Sequence, residues 1–392
     1  MNWFDLEQKN ILQTYKRQKI IFVKGKGKYL WDIKGKKYLD LFSGISVCNL
    51  GHCNSLVNKA IKNQIDKLIH ISNLYYTIPQ IELAEKIIER TFKKGKVFFS
   101  NSGAEANECA IKIARKYGRR KNLKPQIITF KNSFHGRTIA TLTATGQKKF
   151  HIGFEPLLNG FKYAEFNNIN SVKRLINNKT CAVIIEPIQG EGGIYPADKN
   201  FLKELRYICN KNKILLIFDE IQTGIGRTGK LFCYQYFGVE PDIITTAKGI
   251  ANGLPLGVTI VKKKYSDILS YGEHGSTFGG NIVSSIAGIK VLELLNNKLL
   301  NKITFLGNYF LNELNKLKLE FKTIKEVRGI GLMIGIELTV DAKEIVNKFL
   351  EKGIVINSLK DRILRLLPPF IIEKSDIDFA IKVFRNILLT YE

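Results

Sequence analysis

Residues 218–230 read FDEIQTGIGRTGK, and three architectures compete for them. Gly224-x-Gly226-x-x-Gly229 has the glycine spacing of a dinucleotide-binding turn. Gly224 to Lys230 matches the first seven positions of a P-loop. An acidic pair, Asp219-Glu220, ends the apolar run ILLIFDE (214–220). A dinucleotide turn sets glycine directly after a strand and a helix directly after the last glycine. Here Glu220-Ile-Gln-Thr intervenes, and the following KLFCYQYFGVEPD is interrupted by Gly238 and Pro241, a poor helix. The P-loop fails at its last position, where Leu231 replaces the Ser or Thr that would hold Mg²⁺. The glycines therefore read as a flexible loop packed close to something. Asp219 remains. A carboxylate ending a buried strand is costly unless a cation faces it.

Working outward, β-rich apolar runs recur at VFFS (97–100), IITF (127–130), AVIIEP (182–187), DIITT (242–246) and GVTIV (257–261). They lack strict alternation, as strands buried on both faces do. Helical patterns fall between several of them. Residues 104–118 place Ala106, Ala110, Ile113 and Tyr117 on one face. This pattern predicts an α/β domain with a mainly parallel sheet. Past residue 285 the texture changes: a helix at about 283–296, strands at 331–338, 353–357 and 363–367, and a last helix. Ser375 and Asp378 read as that helix's capping box, and Ile377, Ala380, Ile381, Phe384, Ile387 and Leu388 as its apolar face. The expected division is an N-terminal segment (1–50), a large domain (51–285) and a smaller α+β domain (286–392). Within the first segment, KYLWDIKGKKYLDLF reads as two short strands around Lys34-Gly35.

In a parallel sheet, ligands sit at the carboxyl ends of the strands. DIITT runs into AKGIANG, which puts Lys248 at such an end, near Asp219. Strand VFFS runs through Ser102-Gly103 into a helix, whose free N–H groups and positive end favour a phosphate. A phosphate site, an acid and a lone strand-end lysine together suit pyridoxal 5′-phosphate. The lysine bonds to its aldehyde, and the acid keeps its pyridine nitrogen protonated.

Composition narrows the alternatives. The chain has 392 residues, 45% of them hydrophobic, and a net charge of +26. Such charge would suit nucleic acid, but the lysines are spread along the chain with no basic tail. The reading expects no nucleic-acid partner, though the field would draw an anionic substrate. No apolar run reaches the roughly 18 residues of a membrane span. The start, MNWFDLEQKN, is not that of a signal peptide, so a cytoplasmic protein without membrane association is expected. The six cysteines form no CxxC, and the five histidines no HExxH, so reduced core thiols and no metal site are expected.

Several blocks, in order, resemble the class III pyridoxal-phosphate aminotransferases of fold type I. They are NSGAEANE (101–108), FHGRT (134–138), EPIQGEGG (186–193), DEIQTGIGRTG (219–229), AKGIANGLPLG (247–257), HGSTFGGN (274–281) and RGIGLMIGIEL (328–338). The resemblance covers essentially the whole chain. It implies a large domain with a mainly parallel seven-stranded-type sheet plus a smaller α+β domain. It makes Lys248 the Schiff-base lysine and Asp219 the partner of the pyridinium nitrogen. Ser102, Gly103 and Ala104 would hold the phosphate, Phe134 would stack on the ring, and Gln222 would reach its hydroxyl. Thr277 resembles a threonine that reaches the phosphate of the other subunit, implying a homodimer with shared sites. Ser276 beside it is expected on the substrate side.

Arg137 resembles the residue that holds an amino donor's α-carboxylate in the branch acting on N-acetylornithine. Arg365, in LRLLPP, resembles the arginine for the α-carboxylate of 2-oxoglutarate, and Glu191 its switch partner. Glu191 would neutralise Arg365 beside an ω-amino donor and yield it to 2-oxoglutarate. Ile45, in SGISVCNLGH (43–52), stands where ornithine-specific members carry a tyrosine for a free α-amino group. An acylated nitrogen has no charge to satisfy, so the apolar side chain fits transamination of N2-acetylornithine with 2-oxoglutarate. N-succinyl-diaminopimelate is a further candidate donor. Ornithine δ- and 4-aminobutyrate aminotransferases are the alternatives. The sequence departs from the family pattern at Asn54-Ser55 and at Ile282, which replace usual His-Pro and Pro.

Overall fold

The structure is a computed structural model describing residues 2–391. The two short strands expected around Lys34-Gly35 are β2 (Tyr29–Asp32) and β3 (Lys37–Asp40), which pair antiparallel, with β1 (Phe22–Lys26) added to β2. Asp32 closes the turn by accepting the backbone N–H groups of Lys34 and Lys36 and the Tyr38 hydroxyl. β1 is mostly exposed, so no apolar run announces it.

The centre is a seven-stranded sheet. Its strands are β4 (Gly95–Ser100), β5 (Gln126–Phe130), β6 (Phe161–Ala164), β7 (Thr180–Ile185) and, after a short hairpin of β8 (Ile188–Gln189) and β9 (Tyr195–Pro196), β10 (Leu215–Asp219), β11 (Ile243–Thr246) and β12 (Gly257–Lys262). Their order is β4-β12-β11-β10-β7-β5-β6, and only β12 runs against the rest. The six apolar runs are six of these strands. β6, the edge strand, was missed because its central Lys162 and Tyr163 leave only Phe161 and Ala164 buried. Register puts Asp219 beside Thr245, so the ends of β10 and β11 lie together. β4 ends at the same edge and feeds the helix Gly103–Arg120, capped by Ser102.

The glycine loop is not flexible. Residues 222–229 are wholly buried. Its turns need positive φ at Ile225, Gly226 and Gly229, and a Cβ on Gly229 would meet Thr304 Oγ1 at 2.1 Å. Arg227 fills the interior. Its guanidinium donates to Ser46 Oγ at 2.9 Å, to Asn49 Oδ1, and to the carbonyls of Leu332 at 3.0 Å and Pro368 at 2.6 Å. It also lies over the Phe370 ring. Burial pushes its pKa down to about 9. The expected poor helix is a single turn, Cys233–Phe237, stopped by left-handed Gly238.

Asn281 caps the helix Ile282–Leu294, so the departure at Ile282 falls at a helix start; Asn54 caps the helix Ser55–Ile65 in the same way. The helix Asn297–Glu320 follows. The second sheet is β13 (Ile324–Ile330), β14 (Met333–Leu338), β17 (Ile363–Leu366) and β16 (Asn357–Leu359), after the short β15 (Ile354–Val355). Gly331-Leu332 is the turn of an antiparallel pair rather than the start of a strand. β15 leaves this sheet and pairs with β3. The last helix, Lys374–Leu388, is capped by Glu373 and Asp376 instead of Ser375 and Asp378. Asp378 is taken by the Tyr309 hydroxyl. The helix's apolar face has Ile377, Ala380, Phe384, Ile387 and Leu388 buried, while Ile381, read as part of it, is only half-buried.

Gly307 tests close packing against propensity. It sits inside the helix Asn297–Glu320, where Ala would gain up to about 1 kcal/mol of helix stability. A Cβ there, however, would lie 2.3 Å from the Gly331 carbonyl oxygen. Overpacking costs about 1–3 kcal/mol. Gly307→Ala is expected to lower the urea unfolding midpoint, and a raised midpoint would show that the two backbones are free to separate.

Candidate active site

The acidic pair divides at the end of β10. Glu220 turns into the core and accepts the N–H groups of Cys233 at 2.5 Å and Tyr234 at 2.8 Å, capping the single-turn helix. Burial pushes its pKa up to about 7. Asp219 turns the other way. Its Oδ2 pairs with His135 Nδ1 at 2.7 Å and accepts from Asn107 Nδ2 at 2.7 Å; its Oδ1 accepts from Ile221 N at 3.1 Å. Asn107 also donates to the His135 carbonyl at 2.8 Å and accepts from Thr245 Oγ1 at 2.7 Å. Burial opposes a charge on His135, but the Asp219 hydrogen bond and charge, helped by Glu186, hold its pKa above the ordinary value. The partner that a buried Asp219 demands is therefore the His135 ring of FHGRT.

Neither His135 nor Asn107 was assigned a role from sequence. Asn107 had a signal: it is a polar residue beside the apolar face of a helix that leaves the sheet edge. His135 lay within a quoted block, but nothing local separates a histidine facing Asp219 from one facing solvent.

A cavity of about 250 Å³ opens where these strands end. Of the residues singled out from sequence, Gly103, Ala104, Phe134, Arg137, Glu191, Asp219, Gln222 and Lys248 line it. Arg365 lies behind this wall, almost fully buried. It donates to Glu191 Oε1 at 2.5 Å, to Gln222 Oε1 at 3.3 Å and to Asn357 Oδ1 at 3.0 Å. Ser102 is exposed, and its hydroxyl accepts the Glu105 N–H as the helix cap. Ile45 is half-buried against the core in a left-handed conformation and is not part of the cavity wall. Ser276 and Thr277 sit on another loop. Ser276 Oγ accepts from Asn101 Nδ2 at 3.2 Å and from Gly279 N at 3.0 Å, while Thr277 is exposed.

Electrostatics couple the wall. Burial pushes the Lys248 amine down to about 8, with Arg365 adding to the effect and Glu191, Asp219 and Glu186 opposing it. Burial would raise Glu191, yet the charges of Arg365 and Lys248 and hydrogen bonds from Arg365 and Gln222 hold it below the usual carboxylate range. Glu186 is pushed up to about 8 by burial, against His135 and the N–H groups of Phe134 and Gly190. Arg137 is exposed and stands over the Phe134 and Phe150 rings at 5.5 and 4.0 Å, with no ion pair among the described residues.

This donor set fits an aldehyde cofactor bearing a phosphate. Lys248 is a half-buried residue whose amine is pushed down to about 8, and a buried acid shares the cavity. The helix starting at Gly103 points free N–H groups at it. A Cβ on Gly103 would meet Ile221 Cδ1 at 2.7 Å, so the approach there needs glycine. Among the described residues no cluster of His, Cys, Asp and Glu could hold a metal ion.

Comparison with known proteins supports the same assignment. Residues 12–388 match the family model of class-III aminotransferases. An acetylornithine aminotransferase of Methanocaldococcus jannaschii is 49% identical over 392 residues, covering 98% of both chains. One of Caldanaerobacter subterraneus subsp. tengcongensis is 50% identical, covering 97% of this chain and 98% of the relative. A solved ornithine aminotransferase of Toxoplasma gondii, described with partial occupancy of PLP at its active site, superposes with a TM-score of 0.94. It is 31% identical and is matched over 99% of this chain and 94% of its own.

The depressed Lys248 pKa has a direct readout. In cofactor-free protein, trace acetylation of Lys248 should rise with pH to half its plateau near pH 8, where ordinary lysines titrate near 10.5. Peptide mapping gives the profile, and a midpoint above pH 10 would mean that the cavity does not desolvate the amine.

Proposed function

The chain belongs to the class-III aminotransferases, and on that premise we propose that it transfers the ω-amino group of N2-acetylornithine to 2-oxoglutarate. The products are N-acetylglutamate 5-semialdehyde and glutamate, a step of arginine biosynthesis. The observation that carries this reading is the Arg365–Glu191 pair beside Lys248. An enzyme with one α-carboxylate substrate needs the arginine bare. One that alternates an ω-amine with a 2-oxo acid needs it covered and uncovered in turn. The names of the relatives at 49–50% identity support the acylated donor.

The cofactor is pyridoxal 5′-phosphate, which supplies an aldehyde to take up amino groups and a ring to accept electrons. In this reading Lys248 would hold the cofactor's aldehyde through its amine and would move the proton at the donor's amine-bearing carbon. Asp219, steadied by His135 and Asn107, keeps the ring nitrogen protonated. Ser102, Gly103 and Ala104 would hold the phosphate, Phe134 would cover the ring and Gln222 would bond its hydroxyl. Arg137 would take the donor's α-carboxylate; Ile45, outside the cavity wall, is assigned to the acyl-nitrogen end on the family resemblance alone. N-succinyl-diaminopimelate is a second proposed donor. Ornithine is the alternative, favoured by likeness to the Toxoplasma gondii enzyme and disfavoured by Ile45. Residues 51–285 are assigned the cofactor site, with 1–50 and 286–392 flanking it; the β3–β15 pairing supports grouping the two flanks.

Thr277 and Ser276 are proposed to serve the partner's site in a homodimer. In support, Leu74, Tyr76, Ile78 and Phe278 are 87%, 97%, 71% and 58% exposed on and around the loop that meets them. Asn73 donates to the carbonyls of Ser276 and Gly279, joining the two loops. A cytoplasmic location is proposed as well; no described helix is long and apolar enough to cross a membrane. Sedimentation velocity at micromolar concentration should give a dimer, and a monomer with full activity would remove the shared-site reading.

Glutamate formed from 2-oxoglutarate with a panel of amino donors tests the reaction, and two variants test the switch. N2-acetylornithine should lead the panel; ornithine leading it would transfer the assignment to the alternative. In Glu191→Gln, Arg365 is permanently bare, so glutamate should compete as a donor and the N2-acetylornithine half-reaction should slow. Arg365→Ala should spare the donor half and weaken the 2-oxoglutarate half by roughly the 3–5 kcal/mol of a broken buried charge pair. Rapid-mixing absorbance separates the halves, and equal slowing of both in both variants would make the pair structural.

A further inference from the structure

One register row of the second sheet meets the turn that carries Glu191. Arg328 on β13 lies opposite Gly335 on β14, Gly335 opposite Arg365 on β17, and Arg365 opposite Asn357 on β16. Residues paired in this way share one face of a sheet. That face packs on the β8–β9 hairpin, whose turn, residues 190–194, contains Glu191. Arg365 donates to the Glu191 carboxylate at 2.5 Å and is steadied by Asn357, which accepts from its Nε at 3.0 Å. Arg328 donates to the Gly193 carbonyl through both Nε, at 3.0 Å, and Nη2, at 2.8 Å. Between the two arginines Gly335 leaves room for the turn. A Cβ there would meet Ile194 Cβ at 2.8 Å and the Gly193 carbonyl oxygen at 3.2 Å.

The turn is anchored at its other end as well, where the Gly190 N–H donates to Glu186 Oε1 at 3.1 Å. Gly193 stands at φ +124°, a backbone conformation that suits glycine and that the bonds to its carbonyl hold in place. Arg328 is itself fixed from behind. Its Nη1 pairs with Glu326 at 2.7 Å and Glu337 at 2.9 Å, and its guanidinium lies 3.8 Å from the centroid of the Tyr195 ring. Tyr195, the first residue of β9, donates its hydroxyl to Glu337 at 3.1 Å. An ion pair alone would need only Nη1. The two nitrogens committed to one backbone carbonyl make a planar fork closed on the turn.

We propose that Arg328 is a positioning residue of the switch: by clamping the Gly193 carbonyl it holds the backbone of the Glu191 turn over Arg365, so that Arg365 is covered and uncovered by rotation of the Glu191 side chain alone. The inference rests on the reading in which Glu191 shields Arg365 while the ω-amino donor reacts. Arg328 acts only through Glu191. A released turn carries Glu191 away with it and leaves Arg365 bare, so the clamp contributes to the preference for an ω-amine over an α-amino acid.

Two variants loosen the turn by different routes. Arg328→Lys keeps a positive charge opposite Glu337 but cannot form the two-nitrogen bond to Gly193. Gly335→Ala leaves Arg328 intact and presses on the turn from the middle of the row. After equal cofactor absorbance is established, rapid mixing of each holoenzyme with N2-acetylornithine or with glutamate gives the second-order rate constant of each donor half-reaction. The ratio of N2-acetylornithine to glutamate should fall about tenfold in Arg328→Lys, the scale of one lost charge-assisted hydrogen bond, and should fall in Gly335→Ala too. In a Glu191→Gln background, Arg328→Lys should leave the ratio where Glu191→Gln has already put it, because the two residues act as a unit. Should Arg328→Lys not fold, Gly335→Ala decides. An unchanged ratio in both single variants overturns the clamp. So does an equal slowing of both donors, or a further fall of the same size in the Glu191→Gln background, since either marks a merely structural ion pair. A Glu191→Gln ratio equal to that of wild type defeats the underlying switch and the clamp with it; a ratio that moves in Glu191→Gln but in neither Arg328→Lys nor Gly335→Ala defeats the clamp alone.

Discussion

A buried carboxylate at the end of a sheet strand must be neutralised where it stands, and Asp219 imposes this on everything around it. His135 is its closest ring partner, and Asn107 and the Ile221 N–H complete its hydrogen bonds. Each comes from a different part of the chain: the loop after β5, the helix after β4 and the turn after β10. Satisfying one side chain therefore fixes a loop, a turn and a helix at the sheet's carboxyl edge. Phe134 and Arg137, on either side of His135, take their places at the cavity because of it. Leaving such a charge unpaired would cost several kcal/mol, so these segments have little freedom to rearrange.

The second constraint is a shared electrostatic balance in the cavity wall. Arg365 lowers the pKa of both Lys248 and Glu191, while Glu191 raises that of Lys248. A change of partner at Arg365 is thus felt at the lysine amine without any backbone movement. Lys248 itself sits at φ +49°, a left-handed conformation that a non-glycine residue adopts at a cost. The surrounding packing sustains it: a Cβ on Gly249 would meet Asn49 Nδ2 at 2.3 Å, so the turn is pressed against the N-terminal segment.

Arg227 ties the same region together from behind. Its guanidinium joins Ser46 and Asn49, the β13–β14 turn at Leu332 and the carbonyl of Pro368. The glycines of GIGRTG are needed because this loop passes through the interior, against Thr304, Leu295 and Phe370. A motif that looks like a nucleotide loop is in fact the lining of a joint between chain segments. Arg137 at the cavity lip, by contrast, rests on aromatic rings and has no ion-pair partner among the described residues, and that difference separates a structural arginine from one available to a ligand.

The sequence by itself determined the sheet and its chemistry-bearing edge. Strands buried on both faces must be apolar throughout, so six of the seven announced themselves, and the positions of Asp219 and Lys248 at strand ends followed directly. Helix starts were legible where one side chain caps locally, as at Ser102. They were not where several acids compete, as at Glu373, Ser375, Asp376 and Asp378, because the choice among them depends on distant Lys28 and Tyr309. β6 and β1 were illegible because an edge strand needs only part of its side chains buried. Which of Asp219 and Glu220 faces the cavity, that His135 is the partner of Asp219, and that Arg227 is sealed inside were decided only by the tertiary structure. Each depends on a partner far along the chain, and the energy of a buried charge is set by that partner rather than by its neighbours in sequence.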